Sequence, residues 1–136
     1  MRYLLDTNIL SQLIRDPHGV IAERLSQKVE SDVFTSVVVA CELRYGARKK
    51  ASPLLSQRIE QLLASIEVAA LGAGVDEQYG EIRAELEARG TPIGANDLLI
   101  AAHARAEQAT LVSDDISEFS RVQGLSVENW LRDDKA

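Results

Sequence analysis

Short apolar runs recur along this chain, and stretches with apolar residues at helical spacing separate them. RYLL (2–5) precedes Ile9, Leu10, Leu13 and Ile14, and DVFTS (32–36) precedes VVVACELRYGARKK, where Leu43 and Ala47 extend the helical period. IEVAAL (66–71) precedes Val75, Tyr79, Ile82 and Leu86, while TLVS (110–113) and LSVEN (125–129) follow later. A strand whose successor comes only after a helix is returned to the same direction. The alternation therefore predicts an α/β sandwich, with helices flanking a mainly parallel sheet of four to five strands.

Local signals set the boundaries. Asp6-Thr7 and Thr35-Ser36 are placed to cap the helices after the first two strands, and Ser52-Pro53 puts proline at a first helical position. Pro17 interrupts the first helical pattern, and a second amphipathic stretch carries Val20, Ile21, Leu25 and Val29 toward Glu30. Gly90 and Pro92 stop a helix over 75–89. Asn96 is placed to cap DLLIAAHARAEQ, whose apolar and alanine positions predict deep burial. One domain over residues 1–132 is expected, with 133–136 a frayed tail.

Composition narrows the class. Hydrophobic residues make up 46% and charged ones 26%, as in a soluble globular chain. Cys41 is the single cysteine, so no disulfide forms within the chain, and its place in VVVACEL suggests a packed, inert thiol. MRYLLD reaches charge too early for a signal peptide, and no apolar run is long enough for a bilayer; a cytoplasmic protein without membrane contact is expected. Net charge is −6, with +1 over residues 1–68 and −7 over 69–136. Such a chain binds nucleic acid poorly except through a local cluster. Arg44, Arg48, Lys49 and Lys50 form one, read equally well as a solvated helix end favoured by the helix dipole.

The acids are more telling than the cations. Ligands of parallel α/β sheets sit beyond the carboxyl ends of the strands. Asp6 follows the first strand, Glu42 lies in the second turn of the helix after the second strand, and Asp114-Asp115 follow the fourth. Asp97 joins them if its helix begins at that edge. Each has a structural reading: Asp6 and Asp97 as first-turn residues, Glu42 on an exposed stripe, the aspartate pair as a turn. Together they would repel, at about 4 kcal/mol for a pair about 4 Å apart at an effective dielectric of about 20. Protonation or a divalent cation relieves this, and oxygen ligands in an open cleft suit Mg2+ or Mn2+. Cys41, His18 and His103 form no soft-metal set. Such a centre can activate water for phosphodiester hydrolysis without a protein nucleophile, and none is evident: Ser113 has no histidine near it, and His103 reads as helix packing.

Five segments in order, YLLDTNIL (3–10), VACELRYGA (39–47), IRAELEARGTPIGANDLLIAAHA (82–104), LVSDDISEFSRVQGL (111–125) and VENW (127–130), resemble PIN-domain ribonucleases, specifically VapC-like toxins of toxin–antitoxin pairs. The resemblance implies a three-layer sandwich with sheet order 3-2-1-4-5 and Mg2+-dependent RNA cleavage. It also implies a VapB-like antitoxin partner and toxin homodimers within the complex. By motif it places Asp6, Glu42, Asp97 and Asp115 as the catalytic, metal-holding quartet, with Asp6 and Asp97 binding most directly. Asn8, Ser113 and Asp114 are supporting groups, Ser113 standing where the family usually has threonine. Many close relatives read TNN where this chain reads SDD, so Asp114 is a departure, expected to add field or cap the next helix. Relatives sharing the TPxG and EF-x-R-x-x-GL elements cut initiator tRNA, which makes tRNA the leading substrate. Arg44, Arg48 and Lys49 are candidate RNA contacts through their nearness to Glu42.

Two other readings stay open at this point. A haloacid-dehalogenase-like phosphatase also has an aspartate after its first strand, but it needs a second acid where Asn8 stands and a lysine before the late acids, absent between Lys50 and Asp114. A non-catalytic PIN-like binding module is the other.

Overall fold

The computed structural model describes residues 1–132, and the tail expected at 133–136 lies outside them. The strand β1 (Tyr3–Leu5) lies at the middle of a five-stranded parallel sheet. Its neighbours are β2 (Val33–Ser36) and β4 (Thr110–Val112), with β3 (Glu67–Ala69) and β5 (Val127–Glu128) at the edges. The order β3-β2-β1-β4-β5 and the uniform direction match the expected architecture. Leu4 pairs with Phe34 on one side and Leu111 on the other, and all three are fully buried. Strands covered on both faces need continuous apolar sequence, which is why the central runs do not alternate.

Helices α1 (Thr7–Arg15), α2 (Val20–Ser26), α3 (Val37–Lys50), α4 (Pro53–Ser65), α5 (Val75–Ala88) and α6 (Ala95–Ala106) make the crossovers. A single turn, α7 (Ile116–Phe119), links β4 to β5. Asp6, Ser36 and Ser52 cap α1, α3 and α4 through their side chains, as expected. Each such cap contributes about 1 kcal/mol. The helix α5 ends in a Schellman turn: Gly90 takes φ +71°, Thr91 N–H donates to Leu86 O at 2.9 Å, and Gly90 N–H to Glu87 O at 3.1 Å.

Three local expectations are corrected. The cap of α6 is Gly94, with no side-chain bond, because Asn96 lies inside the helix and turns its amide toward Glu42. Cys41 is exposed, since Val38, Val39, Leu43 and Ala47 occupy the inward stripe of α3 and position 41 falls outside it. Asp115, rather than Asp114, caps the following helix.

The alanines of α6 let it approach the sheet closely; Ala101, Ala102 and Ala104 have no exposed surface. His103, also buried, places Nδ1 2.8 Å from Ser36 Oγ, and burial holds its pKa below the usual histidine range. At the far edge Trp130 is fully buried, tilted against Tyr3 at 5.4 Å between ring centroids. None of the described helices is long and apolar enough to cross a membrane.

Candidate active site

The loops after β1 and β4 meet because these strands are adjacent. Ser113, fully buried, donates its hydroxyl to Asp6 Oδ2 at 2.7 Å and accepts the Asp115 N–H at 3.0 Å. Asp6 Oδ1 accepts the Thr7 N–H at 2.8 Å, so both oxygens of this 4% exposed carboxylate are held. Asn8 spans the same junction: Nδ2 lies 3.5 Å from Ser113 Oγ, and Oδ1 accepts Asp114 N–H at 3.0 Å.

Glu42 comes from α3 and is half-buried, not on a free solvent stripe. The Thr7 hydroxyl donates to its Oε1, and Asn96 Nδ2 to its Oε2 at 3.3 Å. It thereby ties the starts of α1 and α6 to α3. Asp97, one residue on, stands in the first turn of α6. It groups with Asp115 and Glu118: one carboxylate oxygen from each of the three lies within 4.8 Å of the others.

Glu118 was not foreseen from sequence. A weak signal existed, because Asp115-x-x-Glu118 has the spacing of a capping box. Half of that box forms, Glu118 N–H donating to Asp115 Oδ1 at 3.2 Å. The reciprocal bond is lost because Ser113 already takes Asp115 N–H. Glu118 instead accepts Gly94 N–H at 3.4 Å and bonds the Asp97 carboxyl.

Two of the acids, Asp6 and Asp97, are shifted by their surroundings. Burial pushes the Asp6 carboxyl up from its ordinary range, with the charges of Glu42 and Asp115 adding to this and the Ser113 and Thr7 hydrogen bonds opposing it. Asp97 is pushed up to about 8, by burial first, then by its hydrogen bond to Glu118 and the charges of Glu118, Asp6 and Glu42. Among the described residues, no arginine or lysine forms an ion pair with any of the five. A set of carboxylate oxygens without thiol or imidazole, short of positive charge and partly open to solvent, fits a hard divalent cation.

The other predicted residues lie apart. Asp114 is turned outward, where its Oδ1 accepts Asn129 Nδ2 at 2.9 Å and faces Arg132 Nε at 3.7 Å. Its carboxylate serves the C-terminal segment, not the cluster. Arg44 is held by both oxygens of Glu60 in α4, at 2.9 and 2.8 Å. Along α3, residue 44 is turned about 200° from residue 42, so closeness in sequence did not bring it to the acids. Arg48 lines that same far side with Glu60. Lys49 comes back near the Glu42 stripe, its ammonium 6.0 Å from the Tyr45 ring centre.

A parallel sheet in this order with acids at its carboxyl edge is the frame of a PIN domain, and the sequence matches the family of that description over residues 3–125. It is 39% identical over 132 residues to Ribonuclease VapC2 of Rickettsia felis, covering 96% of this chain and 98% of the relative. With the tRNA(fMet)-specific endonuclease VapC of Shigella flexneri it shares 35% identity over 131 residues, 96% and 98% of the two chains. The solved structure of VapBC2 from Rickettsia felis bound to a promoter DNA fragment matches with a TM-score of 0.88 at 38% identity, over 96% of this chain and 99% of that one. VapBC-1 from nontypeable Haemophilus influenzae also gives 0.88, at 35% identity, over 97% and 100%. The chain belongs to the PIN-domain family, among its VapC ribonucleases. The family, fold and nuclease activity expected from the sequence are thus borne out, against the phosphatase and the non-catalytic module.

Proposed function

We propose that this protein cleaves RNA, with transfer RNA as substrate, at the five-acid cluster in the presence of Mg2+ or Mn2+, and that an antitoxin restrains it. The observation that carries this reading is a gathering of five carboxyl groups, Asp6 and Asp97 among them with raised pKa values, that no arginine or lysine among the described residues pairs. Asp97, Asp115 and Glu118 have the mutual spacing to share one ion, with Asp6 and Glu42 flanking them. A divalent cation bound there would acidify a water and offset charge on the phosphodiester. Ser113 and Thr7 fix the orientation of the Asp6 carboxylate, which leaves little reorganisation for the reaction. Thr7 and Asn96 orient Glu42, which can accept a proton from an attacking water.

The tRNA substrate is supported by the relative from Shigella flexneri, whose name specifies tRNA(fMet). The antitoxin is supported by the VapBC complexes among the solved relatives. A cavity of about 710 Å3, lined by Leu10, Leu13, Leu25, Val29, Leu62 and Ile66 among others, offers apolar surface to such a partner. Within that complex the protein would form homodimers, and it would act in the cytoplasm.

The test is an RNA cleavage assay with purified protein. Products should form in Mg2+, disappear in EDTA and return when Mg2+ is restored, and the RNA ends identify the substrate. Asp6→Asn should lower the rate by at least about a hundredfold, the scale of removing a preorganised electrostatic group. A variant as active as the parent overturns the site assignment.

A further inference from the structure

We propose that the groove between α1 and α3, ending on Arg15 and Lys50, carries the sugar-phosphate backbone of the RNA strand away from the acid cluster. The inference rests on the ribonuclease reading above and adds to it the path of the substrate. Thr7, Ser11 and Arg15 line one wall, and Glu42, Gly46 and Lys50 the other, around a volume of about 280 Å3. Each triplet has spacing i, i+4, i+8, so each forms one stripe along its helix. Both stripes start in the acid site, where Thr7 donates to Glu42, and both end on a cation about 12 Å further along the helix axis.

The chemistry of the lining selects the ligand. Among the described residues neither Arg15 nor Lys50 makes an ion pair; Arg15 reaches only Gln12 Oε1 at 3.2 Å, on its own helix. A side chain at Gly46 would begin in open space, with nothing within 4 Å, so the glycine keeps the groove wide. The floor between the two stripes is apolar, from Leu43, Leu55 and Ile59 among others, and no aromatic residue lines it. Two cations and the Ser11 hydroxyl at the rim, without a stacking platform, suit phosphate and sugar, not bases, and give contact independent of sequence. The far side of α3 is less suited, because Glu60 neutralises Arg44 there.

The experiment measures the salt dependence of affinity for a fluorescein-labelled single-stranded oligoribonucleotide in Mg2+. An Asp6→Asn background keeps the RNA intact. Arg15→Gln/Lys50→Gln is compared with Arg44→Gln/Arg48→Gln, all four side chains being exposed. Loss of two phosphate contacts lowers the slope of log affinity against log salt by about 1.4, so between 50 and 200 mM salt the affinity falls about sevenfold less than the parent's. The Arg44/Arg48 pair should keep the parent slope. An unchanged slope in the Arg15/Lys50 pair, or a loss confined to the Arg44/Arg48 pair, overturns the groove. So does weakened antitoxin binding with RNA binding intact, which would make this a protein-binding face. Failure of the ribonuclease reading shows differently: protein with Asp6 intact would release no RNA fragments in Mg2+, whatever the slopes.

Discussion

Ser113, fully buried, donates its hydroxyl to Asp6 at 2.7 Å across the junction of two adjacent strands. Removing it leaves a buried carboxylate short of one donor and the Asp115 N–H short of an acceptor. Ser113→Ala should cost about 1.5–3 kcal/mol of unfolding free energy, the range for a hydrogen bond to a charged group. Ser113→Thr keeps the hydroxyl and should lose far less. Urea unfolding of the two variants decides this, and equal stability would show that the bond contributes nothing.

Glu118 makes a three-acid group with Asp97 and Asp115. Glu118→Gln keeps the shape and removes one charge. Mg2+ affinity, followed by thermal stabilisation or calorimetry, should fall about 10- to 100-fold, as when a group supporting a metal site is lost. Unaltered affinity would exclude Glu118 from the site.

The raised pKa of Asp97 makes metal binding depend on pH. Its folded value of about 8 lies above the ordinary 3.8, so the folded protein holds a proton through that interval that the unfolded chain has released. Stability of the metal-free protein from this group is therefore greatest at low pH and falls as pH rises toward and through 8. Mg2+ competes with that proton, so its stabilising effect should grow from pH 6 to 8 and level off above. Melting curves with and without Mg2+ across this range test the sign, and Asp97→Asn should flatten the profile.

Asp114 bonds Asn129 and faces Arg132, away from the acids. Asp114→Asn should leave Mg2+ affinity within about twofold of the parent, because charges separated by solvent are screened. Hydrogen exchange near 129–131 should speed up. A large loss of metal affinity would place Asp114 in the cluster after all.

Cys41 is exposed on α3. Native protein should therefore react with an aromatic disulfide reagent at one thiol per chain without denaturant. Reaction only after unfolding would mean that the thiol is covered.

The periodic features were legible in the sequence. Apolar runs without alternation marked the buried strands, helical spacing marked the crossovers, and Asp6, Ser36 and Ser52 announced caps that form. These depend on interactions within a few residues, so local sequence determines them. The gathering of Asp6, Glu42 and Asp97 was also readable, because parallel topology sends every strand's carboxyl end to one edge. What remained undecided was rotation about a helix axis and the course of a short loop. Which of Asp114 and Asp115 faces the cluster depends on Ser113 taking the Asp115 N–H and Asn8 the Asp114 N–H, contacts that exist only once β1 and β4 are paired. Glu118 joins Asp97 only because α7 folds back against the start of α6. Arg44, two residues from Glu42, is turned to the opposite side of α3 and held there by Glu60. Sequence spacing determined which chemistry the chain could assemble, and long-range packing decided which side chains face it, because side-chain direction is set by partners distant in sequence.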